Sequence, residues 1–321
     1  MRLRIPAVAV ASLLALSACG GSSSGSSSAD GDVEFRVAYL PTANYLTTVK
    51  DSGYLEEEGK AVGATVKWVG PLDPVTAYDT VTAGEADASS TGTGYFVNLA
   101  GNSDTWMAFA LEKYSGKSQG IVANRQSGVS SLKDLYGKKV GIDSPGGTGD
   151  YLLNLAFEEA GLDVSKVEKV TLDTSTFATA FASGQVDAIA SYDQNLAAAE
   201  ATEGSKVLIT GADMNSYNWS IHIVSRTWAE AHPEQLKAMY DGLVKEAARA
   251  KADPSVITDT YQEFGATDEL TEQIATFDVP TIEPMDDEVV SDLEKLGQQY
   301  VDFGFLDSVP DIASAVVDES K

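Results

Sequence analysis

Residues 134–159 read DLYGKKVGIDSPGGTGDYLLNLAFEE, and the rest of the chain is interpreted from this stretch outward. Lys139 to Asp143 has the composition of a short buried strand, and Ser144 to Gly149 is a turn of small residues. From Tyr151 to Ala160 the apolar side chains Tyr151, Leu152, Leu155 and Ala156 recur at helical spacing, with Glu158 and Glu159 on the opposite side. Gly161 follows as a helix-ending C′ residue. A strand, a glycine-rich turn and a helix start would leave several backbone N–H groups free at the positive end of a helix dipole. Such a turn is a ready receptor for an anion or a polar group, and it is expected to form half of a ligand cleft.

Strand and helix signals alternate on both sides of it. Glu34 to Leu40 and Thr65 to Val69 read as strands, and Pro74 to Ala83 as a helix stopped by Gly84. Alternation of this kind implies βαβ units on a mostly parallel sheet, with ligands outside the carboxyl ends of the strands. That rule directs attention to Pro41–Tyr45, Gly70–Asp73, Thr91–Tyr95, Ser144–Asp150 and Tyr192–Asn195. An internal echo suggests two lobes of related build. Thr76–Ala83 leads into Gly84-Glu85-Ala86-Asp87-Ala88, and Thr176–Ser183, one hundred residues later, leads into Gly184-Gln185-Val186-Asp187-Ala188. Ser118–Ala123 and Trp219–Ser225 read as strands crossing between the lobes, which makes a hinge. A helix is expected over Glu234–Lys251. The remainder from Asp268 reads as helical, strongest over Glu288–Phe303, and is expected to return to the first lobe.

The first residues read as an address. Arg2 and Arg4 form a positive start, Ile5 to Leu16 an apolar core, and Leu16-Ser17-Ala18-Cys19 a cleavage site. Gly20 to Gly31 is almost all glycine and serine, a flexible tether with nothing to bury. Loss of the leader leaves 20 basic against 48 acidic residues, a net charge of −28. That balance excludes a nucleic-acid surface. A single cysteine excludes a disulfide framework. The organisation expected is a signal peptide at 1–18, a lipidated tether at 19–32, a first lobe at 33–120 and 221–321, and a second lobe at 121–220.

The segments Gly53-Tyr54-Leu55-Glu56-Glu57-Glu58-Gly59, Ala83-Gly84-Glu85-Ala86-Asp87-Ala88 with Thr91-Gly92, and Leu132-Lys133-Asp134-Leu135-Tyr136-Gly137-Lys138-Lys139-Val140 stand in a characteristic order. Tyr151-Leu152-Leu153, Ala160-Gly161-Leu162 and His232-Pro233-Glu234 follow. In that order and spacing, over roughly Phe35 to Pro254, the chain resembles substrate-binding lipoproteins of ABC importers in the nitrate/sulfonate/taurine family, which includes thiamine-pyrimidine-type binders. The resemblance implies a two-lobe periplasmic-binding type II α/β fold, each lobe a mostly parallel sheet flanked by helices, joined by a two-strand hinge. It further implies lipidation of Cys19, attachment to the outer face of a bacterial cytoplasmic membrane, delivery of a small ligand to permease subunits, a monomeric state, and neither catalysis nor a cofactor or metal.

Sulfonate binders of that family usually read Gly-Ser-Thr-Ala-His-Tyr-Leu-Leu where this chain has Gly146-Gly147-Thr148-Gly149-Asp150-Tyr151-Leu152-Leu153. The serine hydroxyl is lost at Gly147, and the histidine position is an acid, Asp150. The family's aromatic–acid–proline turn appears as Tyr192-Asp193-Gln194, with the proline lost. These departures disfavour a simple inorganic anion and leave an organosulfur compound, a zwitterion or an amine-bearing heterocycle. The ligand-binding residues expected are Asn44, Tyr45, Thr91, Gly92, Thr93, Gly146, Gly147, Thr148, Asp150, Tyr192, Asp193 and Trp219. Tyr95 is a further ring at a loop mouth. Two other readings share the fold: a tethered sensor without transport, and a pyrimidine-synthase-like enzyme, for which His222 is the one histidine placed near the cleft. A cysteine-dependent desulfinase is excluded because Cys19 lies at the leader junction. The turn at Gly146–Gly149 lacks the Gly-Lys-Ser/Thr of a P-loop.

Overall fold

The computed structural model describes residues 33–321, so the expected leader, Cys19 and the glycine–serine tether lie outside the described residues. In chain order the elements are β1 (Val33–Ala38), α1 (Tyr45–Ser52), α2 (Tyr54–Ala61), β2 (Ala64–Val69), α3 (Pro74–Thr82), β3 (Ala88–Gly92), α4 (Thr93–Asn102), β4 (Trp106–Lys113) and β5 (Gln119–Ala123). There follow β6 (Lys139–Ile142), α5 (Thr148–Glu159), β7 (Glu168–Thr171), α6 (Phe177–Ala182), β8 (Ala188–Tyr192), α7 (Asp193–Ala201) and β9 (Lys206–Thr210). The chain returns through β10 (Ser220–Ser225), α8 (Arg226–Ala231), α9 (Pro233–Ala252), α10 (Ser255–Glu263), α11 (Asp268–Ile274), β11 (Thr281–Glu283) and α12 (Asp287–Asp302).

Two sheets result, one per lobe, in the orders β11-β4-β10-β3-β1-β2 and β7-β6-β8-β5-β9. Both are mixed rather than mostly parallel. β1 pairs in parallel with β2 and β3, while β10 runs antiparallel to β3 and β4. The second sheet repeats this: β6 is parallel to β7 and β8, and β5 is antiparallel to β8 and β9. The antiparallel members include the first and last strands of the crossings, whose direction the β–α alternation of the sequence does not record.

The echo in the sequence has a physical basis. Gly84 and Gly184 end α3 and α6 with φ of 72° and 73°, in the left-handed region that a glycine enters without steric cost. Each following aspartate then grips the strand beside it. Asp87 accepts from the Arg36 backbone N–H at 2.8 Å while its own N–H donates to the Arg36 carbonyl at 2.7 Å. Asp187 does the same with Lys139, at 2.9 and 2.8 Å. β3 is thereby registered on β1, and β8 on β6.

The crossings between the sheets are the non-strand segments 114–118 and 211–219. Gln119, which begins β5, binds them together: its amide donates to the Asn218 carbonyl at 2.7 Å and its oxygen accepts from the Ser216 hydroxyl at 3.2 Å. β5 therefore belongs to the second sheet and does not leave the first. The carboxyl-terminal region is also less simple than the sequence suggests. β11 and α12 return to the first lobe, but α11 lies on α7 of the second, where Ile274 and Tyr261 pack with Ala197.

α5 starts at Thr148 and is buried on almost every side, Leu153 and Phe157 included, rather than on one stripe. Tyr151 is fully buried, stacks on Tyr300 with ring centres 5.6 Å apart, and donates to Gln299 Oε1 at 2.8 Å. Gly149 is required by close approach: a β-carbon there would fall against the Ala190 carbonyl oxygen of β8. Because the obstacle is backbone, Gly149→Ala is expected to lower stability by about 1–3 kcal/mol in urea denaturation, the usual cost of overpacking. An unchanged midpoint would mean that α5 does not rest on β8.

Candidate functional site

A cavity of about 200 Å3 lies where the carboxyl ends of β3 and β8 face one another. The starts of six helices border it, through Asn44 (α1), Pro74 (α3), Gly92 (α4), Thr148 (α5), Asp193 (α7) and Pro254 (α10). Helix starts ordinarily favour anions. Here protein groups already hold many of their N–H donors. The Tyr45 N–H donates to Glu112 Oε2 at 2.8 Å, Gly149 to Asp143 Oδ1 at 2.9 Å, Thr93 to the Trp219 carbonyl at 2.9 Å, and Asp193 to the Ser118 carbonyl at 2.6 Å.

The walls are aromatic and acidic. Tyr78, Tyr114, Tyr192, Trp219 and Tyr261 line the cavity together with Glu112, Asp193 and Asp278, and among the described residues no lysine or arginine does. Asp278 is engaged, accepting from both the backbone and the hydroxyl of Ser115 at 2.6 Å. Asp193 is held with φ of 47°, a left-handed conformation unusual outside glycine that costs about 1–2 kcal/mol. Desolvation, and then the charge of Glu112, push its carboxyl up to about 7.

Behind the wall a chain of hydrogen bonds runs from Asn44 through Ser90 to His222, beside Glu112. Asn44 Oδ1 accepts from the Thr47 N–H at 3.2 Å and from Ser90 Oγ at 2.9 Å. The one Ser90 proton being spent on Asn44, the 2.8 Å contact between Ser90 Oγ and His222 Nδ1 has the imidazole as donor. His222 Nε2 then stands 3.3 Å from Glu112 Oε2. Glu112 is 3 % exposed, and no hydrogen bond from the described residues reaches its other oxygen, Oε1.

Of the residues expected from sequence, Asn44, Thr91, Gly92, Thr148, Tyr192, Asp193 and Trp219 line the cavity, and five do not. Tyr45 is turned into the core and donates its hydroxyl to the Pro280 carbonyl at 2.7 Å. Thr93 Oγ1 bridges the Tyr217 carbonyl and the Trp219 N–H, tying α4 to the second crossing. Asp150 is paired with Lys169 at 2.5 Å and accepts from Gly146 N–H at 3.0 Å, so it stabilises its own helix start. Gly146 faces Phe305, and Gly147 faces the Asp143 carboxylate. The turn is thus no open anion receptor, because Asp143 and Asp150 fold back onto its donors. Tyr95 is 47 % exposed and stacks on the outer side of Tyr78, with ring centres 4.7 Å apart. Sequence reasoning missed Glu112, Tyr114, Asn218 and the α10–α11 wall, which come from distant segments with no local signature. The lone acid near the end of the β4 run WMAFALEK was the one available hint.

Comparison with known proteins agrees with this geometry. A Bacillus subtilis protein named "Putative aliphatic sulfonates-binding protein" is 24% identical over 302 residues, 93% of this chain and 88% of its own. Among solved structures, the alkanesulfonate-binding protein SsuA from Xanthomonas axonopodis pv. citri, bound to MOPS, superposes with a TM-score of 0.78 at 19% identity, covering 89% of this chain and 99% of that one. The periplasmic aliphatic sulphonate binding protein SsuA from Escherichia coli gives 0.77 at 21%, covering 89% and 97%. The family described as NMT1/THI5 like matches residues 43–257. With two-thirds of its length inside that match, two mixed sheets and a cavity between facing strand ends, this chain belongs to the NMT1/THI5-like family.

Proposed function

We propose that this chain is the solute-binding component of an ABC importer, closing two lobes on a small polar organic molecule and presenting it to permease subunits. The observation that carries the reading is the cavity between the carboxyl ends of β3 and β8, bordered by both sheets and by both crossings. Ligands of open α/β sheets sit at such strand ends, and two crossings allow hinge closure. The relatives named as sulfonate-binding proteins support the transport role. The lobe division proposed is 33–120 with 221–321, and 121–220, with α11 of the returning segment lying on α7. The anchor belongs to the same proposal: lipidation at Cys19 and a glycine–serine tether would hold a monomer on the outer face of the membrane. Among the described residues no helix is long and apolar enough to cross a membrane.

The same geometry favours binding over turnover. The synthase-like alternative needs a histidine in the cleft, whereas His222 is fully buried behind Ser90 and Glu112 and does not line the cavity. A sensor without transport would use an identical cavity and differs only in lacking a permease partner.

Thermal-shift screening of a small-molecule library tests the reading, since a trapped ligand stabilises the folded state by mass action. With a hit in hand, Trp219→Ala should weaken calorimetric affinity by about 1–3 kcal/mol, because it removes a wall aromatic. Asp150→Ala should lower stability by about 1–3 kcal/mol by stripping partners from Lys169 and the Gly146 N–H, with affinity unchanged. The reverse pattern would place the binding site at the α5 turn instead of the cavity.

A further inference from the structure

The charged side chains that line the cavity are acids, whereas its relatives' names speak of sulfonates. Glu112 approaches from the end of β4 and Asp193 from the start of α7, close enough for Glu112 to oppose the ionisation of Asp193, and among the described residues no basic side chain lines the space they share. Glu112 is buried with Oε1 unclaimed, while Oε2 is held by the Tyr45 N–H and faced by His222 from behind. A carboxylate oxygen that lines a cavity and receives no protein donor is free to accept one from an occupant. The helix start that would otherwise suit an anion, that of α5, already holds Asp143.

Resting on the receptor reading above, we propose that the ligand is an organic ammonium ion, its N–H groups donating to Glu112 Oε1 and Asp193 and its carbon skeleton lying against Trp219 and the tyrosines. Lys113 Nζ already stands over the Trp219 ring, 4.9 Å from its centre, so a bound cation gains from the tyrosine faces, and it relieves the repulsion that Glu112 exerts on Asp193. Glu112 is then a specificity-determining residue, and the Tyr45 N–H positions it. The groups facing Asp193 are Glu112 from β4, Tyr114 from the first crossing, Tyr261 from α10 and the adjoining Tyr192, none of which supplies a positive charge.

The sign of the pH dependence follows. Asp193 is ionised above about pH 7 and carries a proton below it, so affinity for a cation is complete above that pH and falls by up to about tenfold per unit beneath it. An anionic ligand would show the opposite slope.

Calorimetric and thermal-shift titrations of the full chain with 2-phenylethylammonium, 2-phenylethanol and benzenesulfonate at pH 8 test this. The ammonium is expected to bind at least about tenfold tighter than the other two, with Glu112→Gln and Asp193→Asn each weakening it about tenfold or more. Its advantage should shrink between pH 8 and pH 5, and Asp193→Asn should flatten the slope. The unaltered protein carries the comparison among probes even if a variant fails to fold. Benzenesulfonate or the alcohol binding as tightly as the ammonium overturns the inference. So does failure of all three while library compounds still give shifts that Trp219→Ala abolishes, a result that leaves the receptor reading standing. No shift from any probe or library compound overturns both.

Discussion

The site depends on two aspartates that never touch it. Asp87 and Asp187 each close a two-point grip on the backbone of a neighbouring strand, through a carboxylate that accepts an N–H and an N–H that donates to the same residue's carbonyl. Strand pairing alone tolerates slippage, and a one-residue slip would turn every side chain of a strand to the other face. The grips fix β3 on β1 and β8 on β6 at the amino ends of the strands, so the carboxyl ends emerge at defined places. Asp87 is buried and further held by the Arg36 guanidinium, which donates from Nε at 3.0 Å. Asp187 is more open, with Lys138 3.6 Å away. The same device in both lobes gives both sheets the same strand order around it.

From that frame the chemistry of the cavity is set by which donors remain unspent. Helix starts of this number would ordinarily make a strongly anion-attracting chamber. The chain cancels much of that field with its own carboxylates, Asp143 on α5, Glu112 on α1 and Asp73 on α3. What faces the ligand is then aromatic surface and acceptor oxygens. Asp193 marks the same economy on the backbone: its left-handed φ and desolvated carboxyl are both unfavourable alone, and such strain persists where surrounding structure holds it in place for use.

Much of the frame was legible in the sequence. The strand–turn–helix at Lys139–Glu159, the paired Gly-x-x-Asp-Ala echo, the long helix before Asp253 and the aspartate-capped helix at Asp287 are all local patterns, and local patterns survive without knowledge of the fold. Asp286 caps that helix, accepting from the N–H groups of Glu288 and Val289. The site was legible only where it coincided with strand ends, at Thr91–Gly92 and Tyr192–Asp193. Glu112, Tyr261 and Asn218 reach the cavity by tertiary placement, and nothing in their neighbours announces it. The α5 turn misled for a different reason. Its glycines signal free N–H groups, but Asp143, six residues ahead of Gly149, folds back to accept from it, and that requires the turn to be closed before it can be seen.

The central claim is that the space between the two sheets holds a cation against Asp193. Binding must then change the protonation of that carboxyl, and the direction of the change is diagnostic. Calorimetric titration of 2-phenylethylammonium at pH 6, repeated in buffers of different ionisation enthalpy, measures the protons exchanged on binding. With Asp193 shifted to about 7, the account predicts release of nearly one proton per ligand bound. Proton uptake, or binding with no proton exchanged, would contradict it.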